Sequence, residues 1–248
     1  AADIPTGTIG NQSEVAIFRG TGDTEARVFL AAASGASFQT AVSPCTTIAA
    51  NGGALSRRCF AVVGDSLWSA DYSSNVYKST NGTNTPTWGA AILVGDPGYP
   101  IISMVGGKDD NQPFDDRLFI LKQDGIHTIN ALGTAYDQHL TPQFSGAKHA
   151  SNGLYWAIGR DHIFLAMEGK LWAYSTRTGR LKQIGAERLN APFAQISEPQ
   201  EMAFTDGHLY CRYSGSTRFL KANLTFDSSG ELVAIAWHMF GRVAGSFT

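Results

Sequence analysis

The sequence predicts an all-β fold built from a repeated four-stranded unit. Four segments share one layout, in which a polar or Gly-Asp turn precedes a short apolar run and a second turn. Their apolar anchors recur at intervals of 51, 45 and 46 residues and are Leu67, Leu118, Ile163 and Leu209. A period of about 40–50 residues is typical of β-propellers, and capped amphipathic helical patterns are almost absent. We therefore expect a β-propeller of about five to six four-stranded blades, either incomplete or closed by its terminal strands.

The strands follow one another between turns that are rich in Gly and Asp. A weak first copy of the unit has its strand at Phe29, and the second copy begins after Gly64-Asp65. In the third copy, Asp124-Gly125 separates two apolar runs, which is one of the strongest short hairpin signals. The remaining strands are predicted at residues 118–121, 126–129, 163–167, 170–174, 180–184 and 232–240.

Composition limits the classes of function. The chain has 248 residues, of which 43% are hydrophobic and 16% charged, with a formal net charge of −2. We expect a single β-propeller-like domain over residues 1–248. This net charge does not suggest a basic surface for binding nucleic acid or an anionic membrane. No apolar run is long enough for a membrane span. Because there is no initiator Met, we expect part of a longer or processed chain.

Three cysteines stand at Cys45, Cys59 and Cys211. Cys45 and Cys59 are close enough in sequence to close a loop in an oxidising compartment. The odd count and the absence of a C-x-x-C spacing disfavour a disulfide framework or a zinc site, and buried thiols are the simpler interpretation.

The segment YKSTNGTNTPTW, residues 77–88, resembles the Asp-box hairpin S-x-D-x-G-x-T-W of sialidases and other propellers. Asn81 stands where the Asp belongs and forms the same kind of turn. Residues 84–86 interrupt the pattern, however, and there is only one copy. An Asp-box is structural, so a blade hairpin is the favoured interpretation. Sialidase chemistry needs an arginine cluster and paired carboxylates. The only similarity to this pattern is AIFRG around Arg19, which resembles the Phe-Arg motif near the start of sialidases.

Candidate binding residues are few. Asp109 and Asp110 lie in the acidic run KDDNQPFDDR. Several carboxylates on one loop are compatible with a calcium site, but EF-hand spacing is absent, so a solvated loop is the favoured interpretation. Tyr72 and Tyr99 lie in turns rather than in apolar strand positions, so they are the first candidates for stacking on a sugar ring. We predict no catalytic residue, no metal ligand and no cofactor.

The histidines give no metal-ligand spacing. His162 and His208 occupy equivalent repeat positions, one residue before the anchors, where other copies have Ser66 and Arg117. A position that accepts Ser, Arg and His is expected to face solvent at the start of a strand.

The stretch from Trp88 to Asn130 is similar to propeller domains in tail-associated virion proteins of tailed bacteriophages. The matching phrase is W-x5-V-G-D-x3-P-I followed by L-x-[IVF]-x-K-x-D-G-[IL]. Its positions here are Trp88, Val94-Gly95-Asp96, Pro100-Ile101, Leu118, Ile120, Lys122 and Asp124-Gly125-Ile126. The resemblance implies a structural or host-contacting role in a particle and no chemistry.

We therefore expect a non-enzymatic structural or host-adsorption component of a bacteriophage tail, located in the virion. Its expected partners are other virion proteins, further copies of itself and host surface carbohydrate, reached through linkers at residues 96–115 and 184–201. Two alternatives stay open. One is a secreted carbohydrate-binding propeller lectin, and the other is a sialidase-like glycoside hydrolase.

Overall fold

The computed structural model describes residues 15–18, 27–31, 37–41, 47–50, 59–80, 87–109, 115–122, 124–134, 136–138, 156–167, 170–184, 199–213 and 219–240. These residues form twenty β-strands in five four-stranded sheets, and every recorded pairing is antiparallel. None of the described residues lies in a helix, so none forms a helix that could cross a membrane. The predicted all-β architecture of four-stranded repeats is confirmed.

The chain divides into two compact units, residues 1–107 with 114–145, and residues 108–113 with 146–248. The expected single domain over residues 1–248 stays a prediction. The first unit holds three sheets. They comprise β1 (Val15–Phe18), β2 (Arg27–Ala31), β3 (Ser37–Ala41) and β4 (Thr47–Ala50); β5 (Cys59–Val63), β6 (Ser66–Ala70), β7 (Asn75–Lys78) and β8 (Ile92–Leu93); and β9 (Ile101–Asp109), β10 (Asp115–Lys122), β11 (Gly125–Asn130) and β12 (Tyr136–Gln138).

The second unit holds two sheets of the same design. They comprise β13 (Trp156–Gly159), β14 (His162–Met167), β15 (Lys170–Ser175) and β16 (Leu181–Gln183); and β17 (Pro199–Thr205), β18 (His208–Tyr213), β19 (Phe219–Phe226) and β20 (Leu232–Phe240). In both units each described sheet uses four consecutive strands, so none of them mixes strands from the two ends of the chain. Strand β20 has the bounds that the sequence predicts.

The repeat anchors explain why the sequence folds this way. Each lies on the second strand of its sheet, and each side chain is fully buried; they are Leu67, Leu118, Ile163 and Leu209. Phe29 holds the same place on β2 and is also fully buried. The second strand lies inside its sheet, with its backbone paired on both sides. Its anchor side chain is buried in every described copy, so the repeat shows most clearly there.

The two-residue hairpins use backbone conformations that favour Gly and Asp. The turn between β17 and β18 has φ of 51° at Asp206 and 75° at Gly207. The turn between β13 and β14 has φ of 48° at Arg160 and 58° at Asp161. Positive φ at both central residues matches the twist of an antiparallel pair. At the predicted Gly64-Asp65 turn, which joins β5 to β6, Gly64 alone has positive φ, at 55°.

Close packing of first strands depends on two glycines, one in each unit. A Cβ on Gly106 in β9 would lie 2.1 Å from the Val62 carbonyl oxygen in β5. A Cβ on Gly159 in β13 would lie 1.9 Å from Cδ1 of Phe204 in β17. Any side chain at these positions would push neighbouring sheets apart.

Two sequence expectations are wrong. Residues 96–115 are not a loop, because β9 fills their centre and its run IISMV is buried in the core. The histidine position does not face solvent in two copies, because His162 is 2% exposed and stacks on Phe164, and Arg117 is 7% exposed. In the other two copies His208 and Ser66 are half-buried. In the second linker, β17 begins at Pro199, and residues 185–198 lie outside the described residues.

The cysteines support the thiol interpretation where they are described. Cys59 and Cys211 are buried as thiols, and burial raises the pKa of Cys211 above its usual value. Cys45 lies outside the described residues.

Candidate functional site

Three loops of the first unit come together at one end of its second and third sheets. Strands alternate in direction, so the loops that follow β6, β8 and β10 all leave at the same end. They contain residues 71–74, residues 94–100 and Asp124, and we call them the loop surface. Two backbone bonds join the first two loops: Val94 N donates to Ser74 O at 2.8 Å, and Ile101 N donates to Ser73 O at 2.8 Å.

The Asp71 carboxylate organises the first loop. It accepts hydrogen bonds from Ser73 N at 2.8 Å, Asn75 Nδ2 at 3.0 Å and the Tyr77 hydroxyl at 3.1 Å. Burial alone would raise the pKa of Asp71, but these donors outweigh it and hold the pKa below its usual value. The loop is therefore fixed by an ionised side chain within its own turn.

Lys122 lies beneath the loop surface with its side chain fully buried. Its Nζ donates to Val94 O at 2.5 Å, to Asp96 O at 2.9 Å and to Ser74 Oγ at 3.3 Å. An ammonium has three donors, so all three are used. The Ser74 hydroxyl in turn donates to Tyr99 O at 2.8 Å. One lysine thus anchors both loops from the interior.

Two carboxylates near Lys122 oppose the effect of burial on its pKa. Burial lowers its pKa, and the charges of Asp124 and Asp96 oppose that change. Asp124 Oδ1 lies 3.2 Å from His127 Nε2. Burial would raise the pKa of Asp124, but the hydrogen bond from His127 and the charges of His127 and Lys122 outweigh it and lower the pKa. A buried charge with partners of this kind holds a fixed position.

Gly95 is required at the centre of this arrangement. Its φ is +59°, and a Cβ there would lie 2.6 Å from Cε1 of His127 and 3.2 Å from Lys122 Nζ. The segment Val94-Gly95-Asp96 therefore lies directly against Lys122 and His127.

The predicted sugar-stacking residues both lie on the loop surface. Tyr72 is 43% exposed, and Tyr99 is half-buried with its backbone held by Ser74. The other two candidates are not brought into this surface. Asp109 ends β9, its side chain is outside the described part of the chain, and Asp110 lies outside it altogether. Their binding role stays a prediction, as does that of the tyrosines.

Sequence reasoning missed Lys122 and Asp71 as organising residues. The signal for Lys122 is a lysine that ends an apolar strand, LFILK, directly before a hairpin turn. The signal for Asp71 is the spacing D-x-S before a strand, which is typical of an Asx-turn.

The D-x-S signal occurs again in the second unit. Asp227 accepts hydrogen bonds from Ser229 N at 2.8 Å and from Glu231 N at 3.0 Å. The hydrogen bond from the Ser229 hydroxyl, together with these two backbone bonds, lowers the pKa of Asp227. Glu231 Oε1 then accepts from Ser175 Oγ at 2.9 Å and from Thr178 Oγ1 at 2.8 Å. Asp71 and Asp227 therefore hold turns in the first and second unit, and Glu231 links the fourth and fifth sheets.

A pocket of about 610 Å³ lies on the fifth sheet. The described residues that line it are mainly apolar and include no Asp or Glu: Met202, Ala203, Thr205, Tyr210, Cys211, Arg212 and Phe219. Glycoside hydrolysis by the usual mechanism needs two facing carboxyl groups, which these lining residues do not supply. Among the described residues there is also no group of three or more His, Cys, Asp or Glu that could hold a metal ion.

The Asp-box resemblance falls partly on described residues. Ser79 and Trp88 form an antiparallel bridge, and Thr80 N donates to Thr87 O at 2.7 Å. The flanks of the segment therefore pair as a hairpin, in agreement with the structural interpretation. Asn81 and Arg19 lie outside the described residues.

No protein-family model and no curated protein matches the sequence. Among solved structures, the chain is similar to BBS1N in its complex with ARL6DN, at 15% identity and a TM-score of 0.55. That match covers 90% of this chain and 64% of the other, so the chain spans less than two thirds of its length.

Two further structures are similar over nearly the whole chain. The nidogen/laminin complex matches at 12% identity and a TM-score of 0.52, covering 90% of this chain and 78% of the other. The mitotic checkpoint complex matches at 10% identity and a TM-score of 0.57, covering 96% and 67%. At these identities the similarity concerns the fold alone. Five four-stranded antiparallel sheets and these neighbours together show that the chain has a β-propeller fold.

Proposed function

We propose that this chain is a non-enzymatic structural or host-adsorption module of a bacteriophage tail, which docks other virion proteins or a host surface through its loops. The observation that carries the proposal is the Lys122 anchor. Both halves of the phrase that resembles phage tail propellers meet at it, since Lys122 Nζ binds the carbonyls of Val94 and Asp96. The resemblance therefore falls on residues that build a rigid loop surface and not on a catalytic pattern.

The loop surface has the properties expected of a docking site. Its backbone is fixed from below by Lys122 and from within by Asp71, so little conformational entropy is lost when a partner binds. Tyr72 is exposed on it, and tyrosine is enriched at protein interfaces. The three similar structures are also protein complexes, which supports a protein partner.

The first experiment asks whether the protein belongs to a particle. Phage particles from the native source are purified on a density gradient, and the gradient fractions are analysed by mass spectrometry. We expect peptides from this chain to co-migrate with the particles in constant ratio to other tail proteins. A free species of 26.5 kDa that never enters the particle fraction would contradict the proposal and leave the secreted lectin as the leading alternative.

A second experiment tests the loop surface itself. Particles carrying Tyr72→Ala should adsorb to host cells, or assemble with tail partners, at least several-fold less well, because a hot-spot tyrosine contributes about 2 kcal/mol or more to binding. Leu132→Ala is the matched control: Leu132 is 73% exposed, but its loop follows β11 and lies at the opposite end of the sheet. Equal effects of both variants, or no effect of either, would exclude the loop surface as the docking site.

Carbohydrate binding is the second candidate, because an exposed tyrosine among polar groups can stack on a sugar ring. A glycan array with the wild type and Tyr72→Ala separates the two candidates. Binding of a glycan that the variant loses would favour the sugar, and a ligand for the native state should also raise the melting temperature.

A further inference from the structure

The fourth strand of the fifth sheet differs from its counterparts in length. In the described residues the other fourth strands are short: β4 has four residues, β8 has two, and β12 and β16 have three each. β20 has nine. Each of these strands forms an edge of its sheet. Short edge strands are one of the ways in which proteins avoid pairing with other chains, and β20 lacks this protection.

β20 also lacks the chemical protections of an edge. Its sequence, LVAIAWHMF, contains no Pro, Lys, Arg, Asp or Glu. Val233 is 50% exposed, and Ala234, Ala236 and His238 are exposed as well. A long, apolar, uncharged edge is a template for a further strand.

One side of β20 is firmly held, so the strand is ready to pair on the other. It pairs with β19 from Phe219↔Phe240 to Thr225↔Ala234 in continuous register, and a register shift at Val233 precedes the last pair, Phe226↔Leu232. Leu232 is buried, and Trp237 Nε1 donates to Ile184 O at 3.0 Å in the neighbouring sheet. No strand among the described residues pairs with its outer edge.

We propose that the outer edge of β20 pairs antiparallel with β20 of a second copy of this chain, across a two-fold axis near Ala236. The occupant is a second copy because the edge is self-complementary: an antiparallel pair about Ala236 matches Ala234 with His238 and brings no like charges together. The inference rests on the assembly role proposed above and names the partner.

The length of the strand sets the strength of this contact. A nine-residue ladder is about 30 Å long and, at a sheet thickness of about 10 Å, buries roughly 300 Å² on each partner, against ~800 Å² for a stable interface. The dimer is therefore weak in dilute solution, and it gains strength where copies are held close together.

Analytical ultracentrifugation of the purified chain tests the pairing without any particle. From about 1 to about 500 µM, the average mass of the wild type should rise from 26.5 kDa toward twice that value. Ala236→Lys and Ala236→Glu should each stay monomeric, because like charges face each other at the axis. An equimolar mixture of the two variants should regain the dimer, because Lys then faces Glu.

Controls keep the outcome specific to β20. Leu93→Lys places the same charge on the two-residue strand β8, where Leu93 is 57% exposed, and it should dimerise like the wild type. Circular dichroism confirms that each variant is folded.

Three results would overturn the proposal. They are a wild type that stays at 26.5 kDa throughout, Ala236 variants that still associate, and a mixture that fails to restore the dimer lost by both variants. Amide hydrogens on the outer edge of β20 that are protected in a monomeric sample would also overturn it, because the chain itself would then cover the edge. A negative result here is distinct from failure of the particle experiment, since no phage component is present.

Discussion

Replacement of Lys122 by Met tests whether the buried ammonium holds the loop surface. Met has a similar volume and shape, but it cannot donate a hydrogen bond. The carbonyls of Val94 and Asp96 and the hydroxyl of Ser74 would each lose their bond to the ammonium. Asp96 O still accepts from Tyr99 N and Ser74 Oγ, so the largest loss is at Val94 O. A buried acceptor left without a partner costs about 1–3 kcal/mol, and each lost hydrogen bond to a charged group costs about 1.5–3 kcal/mol. The variant no longer pays the desolvation cost of a buried charge, which offsets part of this loss. We therefore expect a net loss of roughly 3 kcal/mol in the free energy of unfolding.

The assay is thermal unfolding followed by circular dichroism. For a domain of this size a loss of 1 kcal/mol lowers the melting temperature by about 2–4 °C, so Lys122→Met should lower it by roughly 6–12 °C. Lys78→Met is the matched control, because Lys78 Nζ is partly buried and donates to one carbonyl, Ala131 O at 2.7 Å. It should cost about 1–2 kcal/mol, less than Lys122→Met, because one hydrogen bond and one cation–π contact with Trp68 are lost at a partly exposed site.

A second readout follows the loops themselves. Amide exchange at residues 94–100 should accelerate in Lys122→Met more than exchange in β14, which belongs to the second unit. An unchanged or raised melting temperature for Lys122→Met would refute the reasoning, because it would mean that the apolar replacement is at least as good as the hydrogen-bonded charge.

Three further predictions concern close packing, turn strain and acid stability. Gly106→Ala should cost about 3 kcal/mol in chemical unfolding, since its Cβ would lie 2.1 Å from a backbone oxygen, whereas Gly89→Ala, at 3.3 Å from Lys78 O, should cost less than about 1 kcal/mol. Asp161→Gly should stabilise the chain by about 0.5–1 kcal/mol, because Asp161 has φ of 58°; a lower melting temperature would contradict this. The pKa of Asp71 is lowered in the folded state, so its stabilisation is present above the unfolded pKa of about 3.9 and is lost as pH falls through the folded pKa. Asp71→Asn should therefore flatten the acid limb of a stability–pH curve, and an identical limb would refute it.

Periodicity predicted the sheets because it follows the strands that are buried on both sides. Leu67, Leu118, Ile163 and Leu209 recur since each second strand needs an apolar residue at the same place. Hairpins were predictable for a similar local reason, because positive φ selects Gly and Asp. The β9 strand was missed because the surrounding Gly, Asp and Pro residues suggested a loop, while burial of IISMV depends on neighbouring strands.

The candidate site was only half predictable. Tyr72 and Tyr99 stood out because aromatic residues in turns are unusual, whereas the role of Lys122 requires contacts with residues 28 and 48 positions earlier in the chain. The buried position of His162 was missed for the same reason, since its environment is made by Phe164 and by Phe226, 5.3 Å away in the next sheet.

The loop between β8 and β9 is anchored through its backbone. Lys122 and Ser74 bind the carbonyl oxygens of Val94, Asp96 and Tyr99, and every amino acid provides such an oxygen. Side chains at positions 97–99 can therefore vary without removing the anchors. Recognition can change by substitution on the outside while the framework stays intact, which makes this loop a suitable place to evolve or engineer a new binding specificity.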